Sequence, residues 1–132
     1  MKDLRAESIM VKHVVCTRES TPARDIILAL LGGHFSGVPV TDSENRVVGV
    51  ITEFDLLKAL KEGKDLANTA VGVLMSKKAI TADVNAPISE IVNIMTDENI
   101  LRLPITKGGK LVGVVARPDI LKSQLDPSIF VL

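Results

Sequence analysis

The 132-residue sequence predicts an α/β (α+β) protein made of one βαββα unit written twice, the copies packed about a pseudo-two-fold axis. Two observations carry that expectation. The stretch SGVPVTDSENRVVGVITEFDLLK at 36–58 returns at 101–122 as LRLPITKGGKLVGVVARPDILK. Matched residues also keep a fixed spacing: Met10 and Met75, Pro22 and Pro87, Ile26 and Ile91, and Pro39 and Pro104 are each 65 apart, whereas Gly49 and Gly113, Asp55 and Asp119, and Lys58 and Lys122 are 64 apart. One residue is therefore lost between the paired strands of the second copy, in a hairpin loop, where a deletion is tolerated. Two copies are too few for a solenoid, so two modules, 1–66 and 67–132, are expected to pack face to face. With 46% hydrophobic residues the chain can bury a good core, and each half alone is marginal in size, which favours a shared one.

In chain order, residues 3–10 carry a helical pattern through Leu4, Ile9 and Met10 and lead into an extended stretch at 13–16. Thr21 suits an N-cap, Pro22 the first helical position and Gly32-Gly33 a stop, which predicts a helix over 22–31. Its end, DIILALL, is apolar on nearly all sides, so it needs a second cover beside its own sheet. Strands at 38–41 and 46–52 flank the polar turn Asp42-Ser43-Glu44-Asn45 and predict an antiparallel hairpin. A helix over 53–62 stops at Gly63, and the polar segment through Ala70 reads as the linker. The second copy repeats the series: a short helix at 71–75, a strand at 78–81, a helix at 87–97, a hairpin closed by Gly108-Gly109, a helix at 118–124 and an apolar tail, IFVL. The two glycines supply the positive φ angles of a two-residue hairpin, which accounts for the missing residue.

Composition excludes several functions. Lys plus Arg and Asp plus Glu are 16 each, so no net field attracts nucleic acid or an acidic membrane, and three Phe give no platform for stacking bases. The N-terminal residues lack a secretory apolar core and the longest apolar run, 26–31, is too short to span a bilayer, so a cytoplasmic location is expected. The single Cys16 forbids an intramolecular disulfide; it reads as a small buried hydrophobe, with His13 on the opposite face of the same strand, so no Cys-His dyad is expected. Two His and one Cys make no zinc set, and neither a Walker loop nor a G-x-G-x-x-G occurs.

The order strand, helix, strand, strand, helix, with Val-Pro or Leu-Pro on the second strand and GVITEFDLLKAL or GVVARPDILK at the end of the third, resembles the CBS domain, and two in tandem resemble a Bateman module across almost the whole chain. The resemblance implies that AMP, ADP, ATP or S-adenosylmethionine binds in clefts between the halves and regulates a partner protein. It implies no catalytic residue, no metal and no required cofactor, and often a homodimer formed through the helices. Thr52 and Asp55 carry the family's strongest ligand motif. A carboxylate can accept both hydroxyls of a ribose, and a hydroxyl with free backbone N–H groups at a helix start receives phosphate.

Thr-x-x-Asp is also a near capping box, in which each side chain satisfies the other residue's backbone N–H. Ala116 removes the hydroxyl in the second copy while Asp119 remains, which weakens the pure capping explanation without removing it, because a first-turn Asp still gains from the helix dipole. By resemblance, Gly37, Val38 and Pro39, with Arg102, Leu103 and Pro104, hold the adenine, and Val14, Val15, Ala79 and Ile80 form further apolar walls; prolines at strand starts and β-branched core residues would explain the same positions. Arg102 is the expected phosphate ligand, with His34 and Arg117 behind it. Two functions remain from this: a regulatory module for an adenosine ligand, or a constitutive dimerisation scaffold with vestigial sites. A nucleotide hydrolase fails for want of a general base beside a nucleophile or metal.

Overall fold

A computed structural model describes residues 4–33 and 37–125. The elements in order are α1 (Ala6–Ile9), α2 (Ala23–Gly33), β1 (Gly37–Thr41), β2 (Val47–Thr52), α3 (Glu53–Lys61), α4 (Val71–Leu74), β3 (Ala82–Asp83), α5 (Ile88–Asp97), β4 (Arg102–Lys107), β5 (Lys110–Ala116) and α6 (Arg117–Ser123). They fall into two compact units: one holds Val15–Ala79, and the other joins the residues up to Val14 to those from Ile80 onward.

Both hairpins form as their sequences require. β1 pairs antiparallel with β2, from Gly37 opposite Thr52 to Thr41 opposite Val47. β4 pairs with β5, from Arg102 opposite Ala116 to Lys107 opposite Lys110. Gly108 and Gly109 take φ +59° and +81°, which a two-residue turn demands of both positions. The longer first loop is held by Asp42, whose Oδ1 accepts from the backbone N–H of Glu44 and Arg46, both at 2.9 Å. Alternation along the strands then decides the core. Ile26, Leu30, Val38, Val40, Ile51 and Leu56 are buried in one unit, and their counterparts Ile91, Met95, Leu103, Ile105, Val115 and Ile120 in the other. Each such side chain contributes about 1.5–3 kcal/mol by leaving water.

The segment that leads each sequence repeat packs in the unit of the other. In one unit the N–H of Ala6 donates to Ala86 O (2.9 Å), that of Glu7 to Val84 O (3.0 Å) and that of Ile88 to Leu4 O (2.8 Å). In the other, the N–H of Val71 donates to Thr21 O (2.8 Å), that of Gly72 to Glu19 O (2.9 Å) and that of Ala23 to Thr69 O (2.8 Å), the same set moved by 65 residues. Met10-Val11 accordingly flanks β5 through Val11 and Val114, as Met75-Ser76 flanks β2 through Val50 and Ser76.

This exchange explains where the elements depart from expectation. Pro22 and Pro87 are not helical; Pro87 stands at φ −67°, ψ 152° before the first residue of α5, and each proline bridges the leading segment, at Ala70 and Arg5. Pairing there holds the chain extended for one more residue. The first strands also begin later than 13–16 and 78–81: a parallel bridge joins Thr17 to Val40, and β3 pairs with β4 from Ala82 opposite Ile105. Cys16 is therefore exposed, contrary to the expectation of a buried hydrophobe, and Thr17 is the buried residue. The polar segment before Ala70 is docked rather than linking: Leu66 is buried and its carbonyl accepts from the N–H of Arg24 at 3.0 Å. The apolar tail lies outside the described residues.

Candidate functional site

The strand-to-helix junction at Thr52 is shaped by three residues. Thr52 is the extended cap of α3, at φ −121° and ψ 165°; its Oγ1 accepts from the Asp55 N–H at 3.2 Å, and Asp55 Oδ2 accepts from the Thr52 N–H at 2.9 Å. The capping box foreseen as one reading of this motif is thus formed. It uses only one carboxylate oxygen, because Asp55 Oδ1 accepts no hydrogen bond among the described residues. Gly37 lies directly opposite Thr52, and a Cβ there would stand 2.9 Å from Ile51 O and 3.0 Å from Thr52 Cγ2. Only glycine lets the start of β1 lie this close to the motif.

The second junction repeats the design with half of its chemistry. Asp119 Oδ2 accepts from the Ala116 N–H at 2.8 Å, no hydroxyl answers it, and Oδ1 again accepts nothing among the described residues. Arg102 takes the place of Gly37, opposite Ala116, with its side chain exposed. Arg117 turns toward α5 instead, where Nε donates to Ile100 O and Nη2 to Asn99 Oδ1, both at 3.1 Å. That contact ties the start of α6 to the turn that follows α5, a role that no local pattern signals.

The remaining candidates divide by exposure. Val38 and Leu103 are 2% and 0% exposed, so their side chains belong to the cores and the backbone is what each offers at the surface. Pro39 is buried opposite Val50 and passes its carbonyl to the Thr17 N–H at 3.0 Å, while Pro104 is half-buried opposite Val114. Val15 and Ile80 lie outside the named strands and are 43% and 39% exposed, available as apolar surface rather than consumed in a core. His34 lies outside the described residues. No cluster of three His, Cys, Asp or Glu that could hold a metal occurs among the described residues, and no helix among them is long and apolar enough to cross a membrane.

Comparison with known proteins agrees with this architecture. The model of the CBS domain matches residues 6–62 and again 71–126. The chain is 31% identical over 126 residues to the uncharacterized protein MJ1404 of Methanocaldococcus jannaschii, covering 95% of this chain and 30% of that protein. It is 27% identical over 118 residues to hypoxic response protein 1 of Mycobacterium tuberculosis, covering 89% of this chain and 82% of that one. Several curated relatives are much longer: the match to the homoserine O-acetyltransferase of Methanococcus vannielii spans 23% of that enzyme. Among solved structures, Hypoxic Response Protein I with two coordinated zinc ions superposes with a TM-score of 0.82 at 27% identity, over 93% of this chain and 100% of that one. CBSX2 in complex with AMP gives 0.78 at 23%, over 90% and 94%. The CBS domain pair of MJ0100 with 5-methylthioadenosine and S-adenosyl-L-methionine also gives 0.78 at 23%, over 92% and 96%. The repeated junctions, the offset of 65 and the two matches lead to one conclusion: the chain belongs to the CBS domain family and carries two CBS domains in tandem.

Proposed function

We propose that the two repeats, 1–66 and 67–132, act as one Bateman module that takes up AMP, ADP, ATP or S-adenosylmethionine between them and signals its presence to a protein partner, without catalysis of its own. The observation that carries this is the half-used carboxylate. The cap occupies one carboxylate oxygen and leaves the other to solvent: among the described residues Oδ1 of Asp55 and of Asp119 accepts no hydrogen bond, so each is open to a ligand donor at the start of a helix. Such an oxygen suits a ribose hydroxyl, a donor whose bond to a charged acceptor contributes about 1.5–3 kcal/mol. Arg102, exposed beside the second junction, suits phosphate. Family members of the same fold crystallised with AMP or with S-adenosyl-L-methionine support the same ligand class.

The module is further read as a homodimer. The apolar end of α2 splits as a doubly covered helix should: Ile26 and Leu30 are 4% exposed, while Leu28 and Leu31 are 79% and 70% exposed. A constitutive scaffold would share that surface, so the ligand is what separates the two functions. The test is a thermal-shift panel of AMP, ADP, ATP, S-adenosylmethionine and NAD. A ligand at 100 times its dissociation constant adds about 2.7 kcal/mol to stability, a shift of several degrees. A flat response to every adenosine compound would leave the scaffold function standing.

A further inference from the structure

We propose that the second repeat carries a further binding site, between α5 and α6, for a small monocarboxylate with an apolar body, its carboxylate held by Arg117 and Asn99. The site uses neither junction acid and stands independently of the adenosine ligand. A depression of about 430 Å³ lies between the two helices, a volume that suits a small molecule. Val92, Met95 and Ile120 form its floor and Leu121 a wall, while the polar groups of Thr96, Asn99 and Arg117 stand together at the rim. Arg117 is fixed there: Nε donates to Ile100 O and Nη2 to Asn99 Oδ1, both at 3.1 Å. Both acceptors are neutral, and Arg117 makes no ion pair among the described residues, so its charge is left uncompensated. The two bonds occupy the Nε side of the guanidinium and leave Nη1 with the outer N–H of Nη2, a parallel pair that matches a carboxylate.

Asn99 adds a donor to the same rim. Its Oδ1 faces Arg117, and its Nδ2 donates to nothing among the described residues. The first repeat serves as an internal control, because its floor positions stay apolar as Ile27, Leu30 and Leu56 while every rim position changes: Leu31 replaces Thr96, His34 replaces Asn99 and Glu53 replaces Arg117. Helix packing alone would keep the floor and has no need of this polar set. One guanidinium fork beside an amide donor balances a single negative charge, and the apolar floor takes the body that carries it. A phosphate monoester brings nearly twice that charge to the same one cation.

The test is an NMR titration of the isotope-labelled full-length chain with 3-phenylpropanoate, which is ionised at neutral pH. The Asn99 side-chain amide and the Met95 methyl group should shift and saturate together. 3-Phenylpropanamide, of the same shape without the charge, should bind roughly tenfold more weakly, which needs no variant and so does not depend on one folding. Arg117→Gln should weaken the acid by a similar factor and leave the amide unchanged. Asn99→Asp keeps an acceptor for Arg117 and tolerates the φ of 52° at this position, yet it fills the fork with the protein's own carboxylate, so binding of the acid should be lost. Equal affinity for acid and amide, or an unchanged affinity in Asn99→Asp, would overturn carboxylate recognition. Inorganic phosphate moving the same signals at lower concentration would overturn it in favour of phosphate, and no shift with millimolar 3-phenylpropanoate would overturn the site itself.

Discussion

Gly113 lies against Met10: a Cβ at position 113 would stand 2.5 Å from the Met10 sulfur, and Gly49 meets Met75 in the same way at 2.9 Å. Each glycine sits within a hairpin strand, Gly49 opposite Val40 and Gly113 opposite Ile105, where the space of its missing side chain is filled by the methionine of the segment that leads the other repeat. Val11 and Val114 exchange two backbone hydrogen bonds of 2.9 Å beside the first contact, and Val50 and Ser76 do the same beside the second.

Replacing either glycine should therefore loosen a leading segment. Gly113→Val is expected to cost roughly 1–3 kcal/mol in urea denaturation, by overpacking a filled site. Gly49→Val should cost more, because Ser76 O, a backbone atom, stands 2.6 Å from the new Cβ and cannot swing aside as a methionine end can. Faster hydrogen exchange at the Val11 and Val114 amides would locate the damage; unchanged exchange there would refute it.

The two acids should separate capping from ligand binding. Asp55→Ala and Asp119→Ala each remove one bond to a backbone N–H and should cost about 1–2 kcal/mol of stability. Calorimetry on the folded variants should in addition show the tightest adenosine binding lost with Asp55→Ala. If neither change alters binding, the acids are caps alone; if only Asp119→Ala matters, the order of the two sites is reversed.

Thr52→Ala would make the first junction like the second. Losing a hydroxyl that bonds a charged phosphate should lower affinity at that site by about one to two orders of magnitude. The reciprocal change, Ala116→Thr, should complete the capping box and raise the melting temperature. Equal affinities for wild type and Thr52→Ala would show that the hydroxyl serves the helix only.

Asp42 offers a pH probe of the first hairpin. The N–H of Arg46 lowers its carboxyl pKa below 3.8, the N–H of Glu44 and the charges of Arg46 and Arg18 add to this, and desolvation opposes them. With the folded value depressed, its contribution to stability is present above the unfolded pKa and is lost as pH falls through the folded one. A carbon-detected NMR titration should place its midpoint below 3.8; a midpoint above that value would mean the turn is not held through this carboxylate.

Much of this was open to the sequence, because the repeated features are local. Val-Pro before a turn, the glycine pair at 108 and 109, the stop at Gly63 with φ +79° and the Thr-x-x-Asp junction each follow from short-range geometry, and all form where expected. The first strands and Cys16 depart from expectation for the converse reason. Apolar residues at 13–16 and 78–81 look like strand, but pairing begins only at Thr17 and Ala82, and no local signal marks that register.

The amino-acid sequence by itself determined that one motif occurs twice, that Thr52 and Asp55 cap α3 and where its turns reverse, since each depends on neighbours within a few positions, whereas Thr21 does not cap α2 because Pro22 stays extended. Folding in three dimensions decided the rest: that residues 4–11 complete the sheet of the second repeat and 69–76 that of the first, that Arg117 binds Asn99, and that Val38 and Leu103 face inward. Those outcomes depend on contacts between residues up to about 100 positions apart, such as Val11 with Val114, which compete for the same edges and faces and are settled only when all of them pack together.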